Sequence, residues 1–206
     1  MAKKTEARGW MSGVTQIPIP IFPDDNARGG YGDHPQGSLQ AKGIMHHVVS
    51  GFVDPTLNQW MQTSEGPEIS CHFGITRDGR IFQYASVFDA TWHAGIVNKP
   101  TWPLYDNTSP NKTLVGIEVE GFSKPGVSWA DYVYDDNKPW PMKMVEALIE
   151  VTKFCLEQHN LEASTLTIIG HNELDSVTRA EDPGKMWPQQ KIIDTILGYR
   201  EEEWQN

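Results

Sequence analysis

The stretch Thr113-Leu114-Val115-Gly116-Ile117-Glu118-Val119-Glu120 constrains the fold of this chain more than any other. Its alternation predicts a β-strand over 113–120. Val115, Ile117 and Val119 share one face, and Leu114, Gly116, Glu118 and Glu120 share the other. The first face needs an apolar cover, while the second carries two carboxylates beside a glycine. A helix predicted over 142–159 can supply that cover. Val145, Leu148, Ile149, Thr152, Cys155, Leu156 and His159 follow helical spacing along one stripe of it.

Further elements frame this pair. Gly-Ile-Met-His-His-Val-Val at 43–49 reads as a strand, and a short helix is expected over 55–62, starting at Pro55. Segments 69–76 and 80–84 flank Arg77-Asp78-Gly79 and predict a β-hairpin with an Asp-Gly turn. A strand is expected over 166–170 and a last helix over 186–199. Loops fill 97–112, 121–141 and 171–184. Residues 1–42, rich in Gly, Pro and Asp, read as an irregular N-terminal lead-in packed on the domain that follows at 43–206. Strands and helices alternating in this way predict one α/β domain, with a mixed central sheet flanked by helices.

The chain has 206 residues, enough for one ordinary domain with a sound core. With 38% hydrophobic and 21% charged residues it is expected to be globular and soluble. A formal net charge of −10 disfavours nucleic acid and anionic membrane surfaces as partners, because the long-range field repels phosphate. Two cysteines, Cys71 and Cys155, are too few for a disulfide scaffold and read as free, buried thiols. The N-terminus shows no signal-peptide pattern and no segment has the length and apolarity of a membrane span, so a cytoplasmic location is expected.

Three candidate metal ligands sit at strand ends or in the loops after them: His46, His171 and Asp182. Two imidazoles and one carboxylate match the ligand count of a catalytic zinc site, which leaves a fourth position for water or substrate. Spacing alone also allows a plainer reading. A histidine in an apolar strand is more often a satisfied core group, and an aspartate before Pro-Gly is by default a turn residue. Glu118 has two readings as well. Either it lies on an exposed sheet face with Glu120, or it is a carboxylate that takes a proton from an attacking water and passes it to a leaving nitrogen. Periodicity does not choose between the two glutamates.

Six blocks occur in a telling order: Gly43-Ile44-Met45-His46-His47, Ser70-Cys71-His72-Phe73-Gly74-Ile75-Thr76-Arg77-Asp78-Gly79-Arg80-Ile81, Trp92-His93-Ala94-Gly95, Val115-Gly116-Ile117-Glu118-Val119-Glu120-Gly121, Gly170-His171 and Asp182-Pro183-Gly184. Over about residues 43–190 the chain thereby resembles the type 2 N-acetylmuramoyl-L-alanine amidases, zinc hydrolases that include muropeptide-recycling amidases, phage lysozyme-like amidases and peptidoglycan recognition proteins. The resemblance implies a Zn2+ site of His46, His171 and Asp182 at the strand ends, with His47 on the opposite face in a structural role. It implies Glu118 as the catalytic carboxylate, His93 and Trp92 as substrate-groove residues, and His72 as a residue that packs or orients a neighbour. His34 and His159 match no motif of the family.

The chain departs from the family pattern at two places. Cys71 stands where several members have tyrosine. Ala180 stands where many have a lysine that stabilises the oxyanion. Arg179 is the adjacent cation, although guanidinium and ammonium differ in reach and geometry. The activity implied is zinc-dependent hydrolysis of the amide between N-acetylmuramic acid and L-alanine, on peptidoglycan or muropeptides. A phage-type endolysin released through a holin is the expected role, with a cytosolic recycling amidase or a non-catalytic peptidoglycan-binding module as alternatives.

Overall fold

The fold is that of a computed structural model, which describes residues 8–19, 37, 39–49, 51–62, 69–121 and 139–199. His34 and most of the loop expected over 121–141 lie outside the described residues. Six strands form one mixed sheet: β1 (Thr15–Gln16), β2 (Gly43–Val49), β3 (Phe73–Ile75), β4 (Ile81–Gln83), β5 (Leu114–Glu120) and β6 (Ile168–Gly170). Their spatial order is β1-β4-β3-β5-β2-β6. β3, β5, β2 and β6 run parallel, β4 is antiparallel to β3, and β1 runs parallel to β4 at the edge.

The helices are α1 (Asn58–Trp60), which continues a helical turn at Val53–Leu57, then α2 (Met142–His159), α3 (His171–Leu174) and α4 (Gln189–Leu197). α2 ends where Asn160 takes the left-handed conformation, a common stop for a helix. It covers one face of the sheet, as the alternation of β5 requires. Val115, Ile117 and Val119 pack there with Ile44, Phe73, Val145, Leu148, Val151 and Cys155 in the main core. α4 closes the same side through Ile192 and Ile193.

Loops and short helical turns cover the opposite face in two smaller clusters. One gathers Val53, Leu57, Met61, Cys71 and Tyr84, and the other Met45, Trp102, Leu114, Ile169 and Leu174. Both cysteines are free and buried. Among the described residues no helix is long and apolar enough to cross a membrane.

The expected hairpin is present, with Gly79 at φ +87° in the turn where Thr76 N–H donates to the Arg80 carbonyl. Two elements differ from expectation. α3 occupies the start of the loop expected over 171–184, because the Glu173 carboxylate accepts from Gly170 N–H and ties down the first turn. β1 lies inside the lead-in expected to be irregular, where Thr15 and Gln16 pair with Phe82 and Gln83. Two residues are too short for any alternation to show.

Candidate active site

Three parallel strands bring the site together. In the β2–β5 register His47 stands beside Glu118, whereas His46 stands beside Ile117. In the β2–β6 register His46 pairs with Gly170, so His171, one residue further, emerges next to His47. The chain then returns: Asn172 N–H donates to the Asp182 carbonyl, and Val48 N–H donates to Asp182 Oδ1 at 2.9 Å. Asp182 Oδ2 lies 3.0 Å from His171 Nδ1 and 3.3 Å from His47 Nδ1. One ligand atom from each of His47, His171 and Asp182 lies within 4.8 Å of the other two.

The expected trio of His46, His171 and Asp182 therefore needs one correction: His47 joins the cluster and His46 does not. Strand alternation is the reason. Ile44 and His46 point toward α2, and Met45 and His47 point to the loop-covered face. His46 is fully buried, with Nε2 3.0 Å from Thr152 Oγ1 of α2, and its Nδ1 accepts from Trp187 Nε1–H at 3.1 Å. Burial and the neighbouring His47 lower its pKa to about 3, so it is neutral and satisfied, the plainer of its two readings.

The cluster forms the floor of a cleft of about 590 Å³. Leu57, Trp60, Ile69 and Trp92 give it an apolar wall, and Val177, Thr178 and Arg179 form the other side. Glu118 also lines it. Its Oε2 is buried without a hydrogen-bond partner among the described residues. Burial raises the pKa of Glu118 well above the ordinary carboxylate range, and the charge of Asp182 adds to this. Burial also pushes Asp182 upward, but the close approach of the His171 and His47 rings outweighs it and holds that carboxyl below its usual range. Two carboxylates a short way apart thus have opposite tendencies, one toward the acid and one toward the anion. Burial, then the proximity of His171, lowers His47, which favours the neutral imidazole that a metal requires. Glu120, on the same face, accepts from Val53 N–H and Arg77 N–H. Its oxygens serve loop anchoring, which separates it from Glu118.

The segment Trp92-His93-Ala94-Gly95 runs along the site. Asn111 Oδ1 accepts from both His93 N–H and Ala94 N–H, at 3.0 and 2.8 Å. His171 Nε2 lies 3.0 Å from the Ala94 carbonyl. That oxygen can only accept, so Nε2–H donates to it, and Nδ1 is the nitrogen that faces Asp182. His93 lines the cleft, but both its ring nitrogens are engaged within the protein, with the Leu114 carbonyl at 2.9 Å and His47 Nε2 at 3.1 Å. Arg179 Nη2 sits 3.0 Å from the point where a side chain on Gly95 would begin, so the guanidinium lies against this segment. His72 is buried away from the cleft floor. Its Nε2–H donates to the Asp89 carbonyl and its Nδ1 accepts from Gly116 N–H.

Sequence reasoning misses Asn111 and Asp175. The Asp175 carboxylate accepts from the backbone N–H groups of Asn98, Lys99, Val177 and Thr178, and so ties two cleft loops together. Nothing in the spacing of either residue marks it, since asparagine and aspartate are ordinary loop residues.

Known proteins resemble this chain in sequence and in fold. A curated relative, the 1,6-anhydro-N-acetylmuramyl-L-alanine amidase AmpD of Haemophilus influenzae, is 25% identical over 154 residues, which cover 75% of this chain and 73% of AmpD. Two solved structures share the fold. The endolysin N-acetylmuramoyl-L-alanine amidase LysCS of Clostridium intestinale URNW superposes with a TM-score of 0.56 at 15% identity, over 93% of this chain and 99% of that one. The N-acetylmuramyl-L-alanine amidase AmiD of E. coli, solved with anhydro-N-acetylmuramic acid-L-Ala-D-gamma-Glu-L-Lys, gives 0.57 at 22% identity, over 78% of this chain and 58% of that one. Residues 39–185, which carry every group of the cleft floor, match the N-acetylmuramoyl-L-alanine amidase family, and the chain belongs to that family of enzymes.

Proposed function

We propose that this amidase is zinc-dependent, and that it hydrolyses the amide between the lactyl group of N-acetylmuramic acid and the L-alanine of the stem peptide. The observation that carries the reading is the convergence of His47, His171 and Asp182 within 4.8 Å, at the floor of a cleft that also holds the buried, unpartnered Glu118 Oε2. Two imidazole nitrogens and a carboxylate oxygen suit zinc in an open, catalytic type of site. When bound, zinc supplies a Lewis acid that polarises the scissile carbonyl and acidifies water.

The chain's own groups do the rest. Glu118 accepts a proton from the water as its oxygen bonds to the carbonyl carbon. A cation held by the trio favours the carboxylate form that this step needs. The C–N bond then breaks, and Glu118 returns the proton to the departing alanine nitrogen, leaving a lactyl carboxylate and a free amine. Arg179 lines the cleft and lies against Gly95, which supports it as the cation that meets the developing oxyanion where Ala180 offers no ammonium. Trp92 and Trp60 offer flat apolar surface to sugar or peptide.

Glu118→Gln is expected to keep zinc bound at wild-type stoichiometry and to lower turnover by ~10²-fold or more. Zinc content together with release of stem peptide, followed by mass spectrometry, measures both. Wild-type turnover in the variant overturns the role of Glu118. A wild-type protein that binds zinc and muropeptide without cleaving it supports the binding-module alternative. The likeness to LysCS over nearly its whole length supports an endolysin role, and the likeness to AmpD supports recycling of soluble anhydro-muropeptides. Parallel digests of intact sacculi and soluble muropeptides separate the two.

A further inference from the structure

Behind His47, on the side of its Nε2, another imidazole is buried that supplies no ligand atom to the trio. His93 is 8% exposed, and a Cβ on Gly116 would overlap its ring. The strand position next to two acidic ones is thus kept bare to seat this side chain. The ring is held at both ends. Nε2 is 2.9 Å from the Leu114 carbonyl, and Nδ1 is 3.1 Å from His47 Nε2.

A chain of single-valued hydrogen bonds follows. The Leu114 carbonyl has no proton to give, so His93 Nε2–H donates to it. A neutral imidazole carries one N–H, so His93 Nδ1 is an acceptor and His47 Nε2–H donates to it. The only lone pair left on His47 is on Nδ1, the nitrogen 3.3 Å from Asp182 Oδ2. His171 reaches the same state by another route, through the Ala94 carbonyl. One backbone carbonyl orients His171 directly, while the other works through an inserted ring.

The geometry assigns His93 as a positioning residue, which reads the Leu114 carbonyl and transmits its polarity to His47, fixing the tautomer and the ring plane that present Nδ1 to a metal. This rests on the metal-centre reading above. Groups that orient a ligating imidazole typically change metal affinity 10- to 100-fold when removed.

Three variants test it. His93→Gln keeps the relay, since the amide donates to Leu114 and its oxygen accepts from His47. His93→Leu removes it. Gly116→Ala displaces the ring through a residue that offers nothing to a metal. Two readouts apply: zinc affinity by competition with a chromophoric chelator, and long-range ¹H–¹⁵N NMR of the imidazoles in the metal-free protein. The expected result is a wild-type His47 protonated at Nε2, zinc affinity about 10- to 100-fold weaker in His93→Leu and Gly116→Ala, and His93→Gln within about threefold of wild type.

Equal losses in His93→Leu and His93→Gln assign the ring a packing role and overturn the inference. So does a wild-type His47 protonated at Nδ1, a result that requires no variant to fold. A wild-type protein that takes up no zinc overturns the metal reading instead, while the NMR measurement still judges the relay.

Discussion

His46 and His47 are adjacent, chemically identical and separated by the thickness of the sheet. His46 serves Thr152 and Trp187, so His46→Leu strands a part-buried indole N–H and a buried hydroxyl. The expected cost is roughly 1–3 kcal/mol in urea unfolding, with metal uptake retained. His47→Leu is expected to fold and to lose stoichiometric zinc, since it removes one of three ligand atoms. The opposite pattern would sink the assignment. The sequence does not decide between the two because 43–49 is apolar on both faces, so alternation has no polar side to mark. A carboxylate in an apolar strand is conspicuous, but Glu118 and Glu120 are equally so, and in the sequence only the family resemblance separates them. His72 is a further case of burial setting chemistry. Its pKa falls from an ordinary 6.5 to about 4, caused mainly by burial. The unfolded chain therefore takes up a proton at this site between those values and the folded one does not, so the stability that neutral His72 provides is present above pH 6.5 and lost toward pH 4. In that window ~1.4 kcal/mol per pH unit is expected from this one group. A His72→Gln variant with an unchanged acid limb in pH-dependent unfolding would refute this.

At the scale of elements, α2 and β5 are the parts read most fully in advance. α2 spans Met142–His159, the range its stripe predicts, and the apolar face of β5 meets it. Long periodic elements repeat their signal every turn or every second residue. β1 and α3 do not, and each exists through a partner distant in sequence or through a local cap. The cleft loops depend on a single side chain in the same way. Four backbone N–H groups from 98–99 and 177–178 converge on Asp175, which is buried, and these hydrogen bonds, led by that of Thr178, hold its carboxyl below the ordinary range. Asp175→Ala is expected to leave the helical circular dichroism unchanged and to weaken zinc binding, because the segment 175–182 that carries Asp182 loses its tie. Hydrogen exchange over 97–99 and 175–182 should rise. Wild-type protection there would show that the tie is dispensable.

On the scale of the whole molecule, the sheet divides labour between its faces. α2 and α4 seal one side, and the other side gathers the chemistry where β5, β2 and β6 end together, the usual place for ligands in open sheets with parallel strands. This layout follows from the parallel register, which no local pattern encodes. The edges of the sheet are a separate matter. Ile17 N–H donates to the Gln83 carbonyl and Ile19 N–H to the Tyr84 carbonyl, so the segment that includes β1 occupies the outer rim of β4. A protein trimmed to start at residue 39 would present that rim bare, with Phe82 and Tyr84 beside it. Open strand rims recruit other chains. Such a trimmed protein is expected to clump, visible as growing light scatter at micromolar concentration, although every group of the cleft floor is still present. The leading residues would then act as a built-in chaperone for solubility, and a monodisperse trimmed protein would disprove it.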